Sequence, residues 1–507
     1  MTRVLCFSYE RLFYPNGILS GPGYRLWEIA SALQRKGHKI TIAELDHKKD
    51  YKKDNIEFIS WDTERLHNID KEFDVAFIPL SAYVHFYFNK IKKIPTIVDL
   101  STPISVESMI HTIGDETDFF LYDGLLPTAI ALSQGDFFIC SNNNQKYFYL
   151  GMFTFLGLRK FDSSIIQLAP LAPDKSKLKT KKGNILTKVI GKNKSVLLFM
   201  GGLYNWYDYQ TPILAMRDII KKHENVALIF IGGFNPNIPE LTKANYENAI
   251  SLAKKNKLYN RYVYFMDWLP PEDKLKAYTE SDIAVVTSNE TIESALSYRM
   301  RIVDFLQGFV PVICTRNDEL SNLVEKKRLG LTIQVRNKKQ LAERVIYLLN
   351  NRELLREYKD NIKKFIISEF NIEKTIKPIN EFCSKPKFIN RRLKLNYLDI
   401  IQNLKQRIKD LEYMKDDKIS INQNLIKEIN HLELRFHEVN EEKNHFIQQT
   451  KNEIESKNKI IEEQAKIIKK QKQIIGEYKS SIVYPLYHMT HKIGETKSGK
   501  FLQKLLK

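Results

Sequence analysis

Residues 283–315 read IAVVTSNETIESALSYRMRIVDFLQGFVPVICT, and this stretch decides the fold. Two short apolar runs, IAVVTS and VPVICT, have the length of buried strands, and a segment with helical character lies between them. A strand, a helix and a second strand in this order predict neighbouring parallel strands of an α/β sheet. The runs VLLFMGG, VALIFIGG and YVYFMDW repeat the pattern earlier in the chain.

The first part of the chain has the same alternation of predicted strands and helices. Its predicted strands are VLCFSY, HKITIAEL, FDVAFIPL, IPTIVDL and DFFICS, and a Lys-rich stretch at about 179–194 separates them from the second series. We therefore predict an α/β protein with two Rossmann-like lobes, residues 1–185 and 195–383, that face each other across a cleft. Ligands of such sheets bind at the carboxyl ends of the strands.

The pattern changes at about residue 393. Apolar residues then recur every seven positions, with interruptions such as Lys418, and sustained heptads predict a coiled coil over 393–477 and hence a homo-oligomer. One long solvated helix is the alternative. The apolar heptad positions include Leu404, Leu411, Leu425, Leu432, Val439 and Phe446, followed by Ile447, Ile454, Ile461, Ile468 and Ile475.

The last segment, 478–507, is basic and rich in apolar residues. It contains six lysines and one glutamate and closes with FLQKLLK, whose apolar residues share one helical face. Such a segment fits an anionic membrane surface, and a helix packed on protein is the alternative.

Net charge is +19, and residues 385–507 hold 26 Lys and Arg against 16 Asp and Glu. Nucleic acid also fits this charge. It ranks last and is not expected as a partner, because acidic residues are interleaved and no nucleic-acid-binding motif is present.

No run approaches ~20 uninterrupted apolar residues, so no transmembrane helix is expected. The start of the chain is typical of a first strand rather than of a signal peptide. The four cysteines form no CxxC pair, which predicts buried free thiols in a reducing compartment. The expected location is therefore cytoplasmic, with peripheral attachment to the inner face of the cell membrane.

Two loops are candidate ligand sites. In the first, Gly21, Pro22 and Gly23 precede a predicted helix, whose start favours anionic or hydroxyl-rich ligands. An ordinary turn is the alternative. In the second, Gly201 and Gly202 end a strand, and polar aromatic and acidic side chains follow where a cleft would open. A packed aromatic loop is the alternative. These following side chains are Tyr204, Trp206 and Asp208.

Charged residues mark two more candidates. Arg299 and Arg301 precede Asp304 on a predicted helix, where guanidinium groups suit a diphosphate and a carboxylate one turn away suits ribose hydroxyls. A local Arg–Asp ion pair is the alternative. Asp99 ends a predicted strand, with Glu107 downstream, and its carboxylate could bind an acceptor hydroxyl or cap the next turn.

Three stretches together resemble a glycosyltransferase of family 4, with the two-lobed GT-B fold. They are GPGYRLWEIASALQRKGHKITI, WLPPEDKLKAYTESDIAVV, and RIVDFLQGFVPVICT followed by ELSNLVEKKRLGLTI, where the last ends in a Gly-containing loop. The resemblance covers roughly residues 1–383. It implies retaining hexosyl transfer from a nucleotide-sugar donor to a lipid-linked, cell-surface glycan, with no cofactor and no essential metal. It also implies that the helices after Asn351 cross back to the N-terminal lobe.

The resemblance assigns roles to particular residues. Asp304 stands for the second glutamate of the E-x7-E motif, which binds ribose, whereas Leu296 stands where the first glutamate contacts the donor sugar. Glu293 lies nearby and is the candidate substitute. Arg299 and Arg301 would hold the diphosphate, and Trp268 would lie beside the donor.

The expected catalytic residues are Asp99, Glu293, Arg299 and Arg301. Because Leu296 replaces a glutamate, a second hypothesis remains open. In that hypothesis the chain is a non-catalytic GT-B scaffold that recruits a polysaccharide assembly complex through its coiled coil.

Overall fold

The computed structural model describes residues 1–13, 21–45, 50–61, 69–81, 83–84, 87–88, 94–111, 124–156, 163–178, 183–235 and 239–388. The chain divides into two units, 1–403 and 404–507, and the described residues all belong to the first. The predicted coiled coil over 393–477 and the basic segment over 478–507 lie outside the described residues.

In the described residues, the N-terminal lobe is built on a sheet of eight strands. The strands are β1 (Arg3–Ser8), β2 (Lys39–Glu44), β3 (Tyr51–Lys53), β4 (Ile56–Ser60), β5 (Val75–Pro79), β6 (Thr96–Asp99), β7 (Phe137–Cys140) and β8 (Ile166–Leu168). Their order is β3-β4-β2-β1-β5-β6-β7-β8, and only β3 and β4 pair antiparallel. The five predicted strands are confirmed, whereas β3, β4 and β8 were not predicted.

Helices cover this sheet and bury their apolar faces against it. The apolar residues predicted at helical spacing in the first helix, Leu26, Ile29, Ala30 and Leu33, are all buried. The helices of this lobe are α1 (Gly21–Arg35), α2 (Ile69–Glu72), α3 (Ile104–His111), α4 (Leu126–Gln134) and α5 (Asn143–Phe155).

The C-terminal lobe is built on a second, wholly parallel sheet. Its strands are β9 (Ser195–Met200), β10 (Val226–Ile231), β11 (Val263–Met266), β12 (Ile283–Val286), β13 (Val312–Thr315) and β14 (Gly330–Ile333). The order is β11-β10-β9-β12-β13-β14, so the chain reverses direction across the sheet between β9 and β12. Every residue of β10 is buried, which is why this strand reads as an unbroken apolar run.

The remaining helices cover the second sheet and close the fold. They are α6 (Ile185–Ile190), α7 (Gln210–Ile219), α8 (Pro239–Lys255), α9 (Pro271–Thr279), α10 (Ile292–Leu296), α11 (Met300–Gln307), α12 (Glu319–Lys326), α13 (Lys338–Asn350), α14 (Arg352–Ser368), α15 (Ile372–Thr375) and α16 (Lys377–Ser384).

The stretch ELSNLVEKKRLGLTI departs from its predicted conformation. It was expected to end in a Gly-containing loop, but it forms α12 and then the edge strand β14. Gly330 opens this strand, and a Cβ atom placed there would lie 1.9 Å from the carbonyl oxygen of Val312. The glycine therefore allows β14 to approach β13, rather than forming a loop.

The last helices cross back to the N-terminal lobe, as expected. The ring of Phe382 stacks on Phe137 with centroids 4.8 Å apart. At the start of the chain, the Thr2 hydroxyl donates to the Cys383 carbonyl over 2.8 Å. The C-terminal helices thus complete the core of both lobes.

The four cysteines are free and buried, which confirms the prediction of buried free thiols. No helix in the described part of the chain combines the length and the hydropathy that a bilayer span requires.

Candidate active site

The loop after β9 and the start of α11 meet at the carboxyl edge of the second sheet. Gly201 has a φ of +104°, which favours glycine. A Cβ atom placed on Gly201 would lie 2.9 Å from Nε of Arg301, and Arg301 donates a hydrogen bond to the Gly202 carbonyl. The absence of side chains at this loop therefore lets a guanidinium group lie directly on the backbone.

Arg301 carries an unsatisfied buried donor. Its guanidinium carbon lies 3.4 Å from the ring centroid of Tyr207, so the cation is held against an aromatic face. Its Nη1 is buried and has no hydrogen-bond partner among the described residues. Burial also lowers the pKa of Arg301. A half-buried cation with a buried, free N–H group is suited to an anion, because the anion would supply both charge and acceptor.

Arg299 and Glu293 pair with each other, which departs from their predicted roles as ligands. Two parallel hydrogen bonds of 3.0 and 2.9 Å join Arg299 to the Glu293 carboxylate, and both side chains are buried. Arg299 also donates to the Ser294 hydroxyl over 3.0 Å. It is the residue that precedes α11 rather than part of the helix, and the link between α10 and α11 folds it back toward Glu293.

This pairing of Arg299 with Glu293 joins α10 to the start of α11. Each needs the other to remain charged in the interior. Leu296, at the place of the first glutamate of the motif, is buried and apolar.

Asp304 lies one turn after Arg301 on α11, and no hydrogen bond joins the two side chains, so the alternative of a local ion pair does not apply. Burial raises the pKa of Asp304 to about 6, and Lys274 opposes this effect. Tyr24 of the N-terminal lobe and Tyr278 of α9 both have a pKa raised by burial and further by the charge of Asp304. Asp304 is therefore a half-buried carboxyl group that can accept hydrogen bonds from hydroxyl groups.

The raised pKa of Asp304 leads to a prediction about stability. A folded-state pKa of about 6, above the ordinary 3.8, means that ionisation removes stability as the pH rises through this interval. Replacing Asp304 by asparagine should raise the free energy of unfolding by up to about 3 kcal/mol at pH 7, and by much less at pH 4. Urea unfolding at both pH values measures this.

The matched control is Asp360→Asn, which changes an exposed carboxylate on α14 and should leave stability near that of the unaltered chain. An Asp304→Asn protein that gains nothing at pH 7 would contradict the burial argument.

The aromatic loop after Gly202 is packed internally. Tyr204 and Trp206 stack with centroids 5.0 Å apart, and Trp206 is buried. Asp208 accepts hydrogen bonds from the backbone N–H groups of Gln210 and Thr211 at the start of α7. Asp208 was predicted to bind the donor, but its carboxylate caps a helix instead. Tyr207, which the sequence reasoning missed, is the residue of this loop that contacts Arg301.

Trp268 lies beside the end of β10. Its indole N–H donates to the Phe234 carbonyl over 2.5 Å, and its ring lies against Gly232. The side chain is half-buried, so part of its surface remains accessible at the carboxyl edge of the sheet.

The N-terminal lobe corrects two further predictions. Asp99, predicted to be catalytic, is buried in an ion pair with Arg25 at 2.6 Å, so its carboxylate is already bound. The helix α1 begins at Gly21 rather than after the glycines, because proline is tolerated in the first turn.

Gly21, Pro22 and Gly23 are thus the first turn of α1 and not a loop. A Cβ atom on Gly21 would lie 2.5 Å from the Met300 methyl group, which places this turn against α11. In the described residues, no group of three or more His, Cys, Asp or Glu side chains could hold a metal ion.

Comparison with known proteins identifies the second lobe. Residues 185–365 match the protein family described as Glycosyl transferases group 1. The match runs from the start of α6 through most of α14 and includes Gly201, Arg301 and Asp304. The C-terminal lobe therefore carries a Glycosyl transferases group 1 domain.

Two curated relatives match part of the chain. Spore coat protein SA of Bacillus subtilis (strain 168) is 28% identical over 163 residues, which are 32% of this chain and 41% of that protein. An uncharacterized glycosyltransferase of Methanocaldococcus jannaschii is 23% identical over 190 residues, which are 37% of this chain and 44% of that protein. The chain thus spans less than half the length of these relatives.

Solved structures share the fold over both lobes. Sucrose-phosphate synthase from Thermosynechococcus elongatus has a TM-score of 0.58 at 12% identity, covering 75% of this chain and 98% of that chain. Anabaena HepE in complex with UDP and glucose has a TM-score of 0.58 at 14% identity, covering 76% of this chain and 100% of that chain. At these identities the likeness establishes the fold alone, and that fold is GT-B-like, with two Rossmann-like domains.

Proposed function

We propose that this chain is a glycosyltransferase that moves a sugar from a nucleoside diphosphate donor to a growing glycan. The observation that supports the proposal most is the buried, unpartnered Nη1 of Arg301, which lies on the side-chain-free loop Gly201–Gly202. An anionic diphosphate fits this site because its oxygens accept hydrogen bonds and balance the guanidinium charge. Asp304, one turn further on α11, would accept hydrogen bonds from the ribose hydroxyls.

The proposed reaction transfers the sugar from the diphosphate to an acceptor hydroxyl group. The acceptor hydroxyl forms the new bond to the sugar carbon, the bond from that carbon to the diphosphate breaks, and the hydroxyl proton leaves on the released nucleoside diphosphate. Arg301 would stabilise the charge that grows on the diphosphate, so the proposal requires no metal. Retention of configuration and hexosyl specificity are further parts of the proposal, and they rest on the resemblance to family 4.

The proposed acceptor and the proposed location rest on residues 393–507, which follow the two lobes. We propose a lipid-linked, cell-surface glycan as acceptor, because the basic segment 478–507 would hold the enzyme at the anionic inner face of the cell membrane. The heptads over 393–477 would join copies of the chain into a homo-oligomer.

The second candidate function is a non-catalytic scaffold with a sugar-nucleotide cleft. The observation in its favour is that Asp99 and Glu293 are held in buried ion pairs, while apolar Leu296 stands at the place of the first motif glutamate. Binding of a nucleotide sugar without any transfer or hydrolysis would support this function over catalysis.

A panel of UDP-, GDP- and ADP-sugars tests whether the cleft binds a donor. A ligand that binds only the folded state, present at 100 times its Kd, stabilises the protein by about 2.7 kcal/mol. We expect one nucleotide class to raise the Tm by several degrees, with UDP-glucose the first to test because a structural neighbour was solved in complex with UDP-glucose. Differential scanning fluorimetry provides the measurement.

The control for this panel is the Arg301→Ala protein, in which the shift should disappear. If no nucleotide or nucleotide sugar shifts the Tm of the unaltered chain, the proposed function is wrong.

A further inference from the structure

A carboxyl group of the N-terminal lobe lies opposite the donor site. Glu107 is in the first turn of α3, shortly after the end of β6, and its backbone N–H donates to the Pro103 carbonyl over 3.0 Å. Helix α3 packs against α10, the short helix of the C-terminal lobe that carries Glu293. Glu107 therefore lies where the two lobes meet, at the carboxyl edges of both sheets.

The groups around Glu107 come from both sides of the cleft. From the C-terminal lobe, Glu293 and Arg299 act on its charge, and burial raises the pKa of Tyr204 in the loop after β9, with a small addition from Glu107. From the N-terminal lobe, burial raises the pKa of Tyr9 and of Tyr149, and the charge of Glu107 adds to both. Of these groups, Arg299 and Tyr204 also act on the charge of Arg301, and Glu293 is the partner of Arg299.

The carboxyl group of Glu107 has no bonded partner in the part of the chain that the structure describes. Among the described residues no side chain or backbone group forms a hydrogen bond or an ion pair with it, whereas the carboxylates of Asp99 and Glu293 are both held by arginines. Burial raises the pKa of Glu107 to about 8, and Glu293 adds to the effect. A carboxyl group that is neutral at pH 7 both donates and accepts hydrogen bonds, as a sugar hydroxyl does.

We propose that Glu107 binds a hydroxyl group of the donor sugar from the opposite lobe. This inference rests on the proposed function. Leu296 cannot bind a hydroxyl group, and Glu293 is occupied by Arg299. In the part of the chain that the structure describes, Glu107 is a carboxyl group of the opposite lobe that lies near Glu293 and Arg299 and has no hydrogen-bond or ion-pair partner. Because the contact comes from the N-terminal lobe, it would link recognition of the sugar to closure of the cleft.

The test compares each nucleotide with its own nucleotide sugar. Isothermal titration is carried out with UDP and UDP-glucose, GDP and GDP-mannose, and ADP and ADP-glucose, on the unaltered chain and on the Glu107→Leu and Glu107→Gln proteins. We expect Glu107→Leu to weaken binding of the nucleotide sugar about tenfold and to leave binding of the parent nucleotide unchanged, since the loss is confined to the sugar. Glutamine keeps a donor and an acceptor, so Glu107→Gln should stay within about threefold of the unaltered chain.

The matched control is Glu247→Leu, the same substitution at an exposed position of α8, which should change neither affinity. A folding defect would be visible as weaker binding of the nucleotide as well, and an equal loss for both ligands would overturn the proposal. An unchanged ratio of the two Kd values in Glu107→Leu would overturn it too, and a fall in transfer alone would then assign the hydroxyl to the acceptor. A Glu107→Gln protein as weak as Glu107→Leu would overturn the neutral-carboxyl contact.

The outcome for Glu107 is separable from that of the proposed function. If the unaltered chain binds no nucleotide, the proposed function fails. If it binds nucleotides and nucleotide sugars but Glu107→Leu leaves the ratio of their Kd values unchanged, only the contact from Glu107 fails.

Discussion

Replacing Arg301 by alanine is expected to lower the rate of sugar transfer about 100- to 1,000-fold. The buried Nη1 of Arg301 has no partner in the described residues, and its guanidinium group lies on the backbone of Gly201 and against the ring of Tyr207. This group would stabilise the negative charge that grows on the departing diphosphate. The rate is measured with the nucleotide sugar that gives the largest shift of the Tm in the panel.

Two variants show whether the effect belongs to this position. Arg301→Lys keeps a positive charge but loses the planar fork and the contact with the Tyr207 ring, so its rate should fall between those of the alanine protein and the unaltered chain. Arg356→Ala removes an exposed arginine of α14 and should leave the rate unchanged. An Arg301→Ala protein within threefold of the unaltered rate would remove the main support for the proposed function.

Replacing Arg299 by alanine is expected to destabilise the folded state by about 3–5 kcal/mol. The substitution leaves the Glu293 carboxylate, whose side chain is 4% exposed, in the interior without the two hydrogen bonds of its partner. The carboxylate must then remain charged without compensation or take up a proton, and both cost stability. Urea unfolding at pH 7 measures the difference from the unaltered chain.

The double variant Arg299→Met with Glu293→Leu separates the ion pair from simple loss of packing. Removal of both charges should recover the stability lost through the unpaired Glu293 carboxylate, because apolar residues of similar volume often replace a buried pair at little cost. Asp318, whose carboxylate lies 3.9 Å from Nε of Arg299, loses its cation in both variants, so a double variant as unstable as Arg299→Ala would show that the Glu293 charge is not the cause.

The fold could be predicted where the chain buries whole strands. All six residues of β10 are apolar and buried, and five strands of each lobe could be predicted from such short, mainly apolar runs. The strands that were not predicted lie in the outer parts of the sheets. β3 contains two lysines, β8 has three residues and β14 begins with glycine, so none of them carries a long apolar run. Such strands depend on the neighbour that they pair with, which is not visible locally.

The site could be predicted only in part. The rule that ligands meet the carboxyl ends of parallel strands correctly places Gly201 and Arg301 together at one edge. Pairing between side chains could not be predicted, because it depends on how the chain folds rather than on spacing along the sequence. The partner of Asp99 is Arg25, 74 residues earlier, and the partner of Arg299 is reached only because the link between α10 and α11 folds back. The number of residues between the two partners indicates neither contact.

The return of α16 to the first lobe affects how the protein is made. Phe382 covers Phe137, and Thr2 bonds to the backbone of Cys383, so residues from the two ends of the described chain share one core. During synthesis the sheet of the N-terminal lobe leaves the ribosome long before α16, the helix that packs on it. The part of the first sheet that Phe382 covers stays exposed until the second sheet has been translated. The two lobes therefore finish folding together, and shortening the chain before residue 377 would damage the lobe formed from its opposite end.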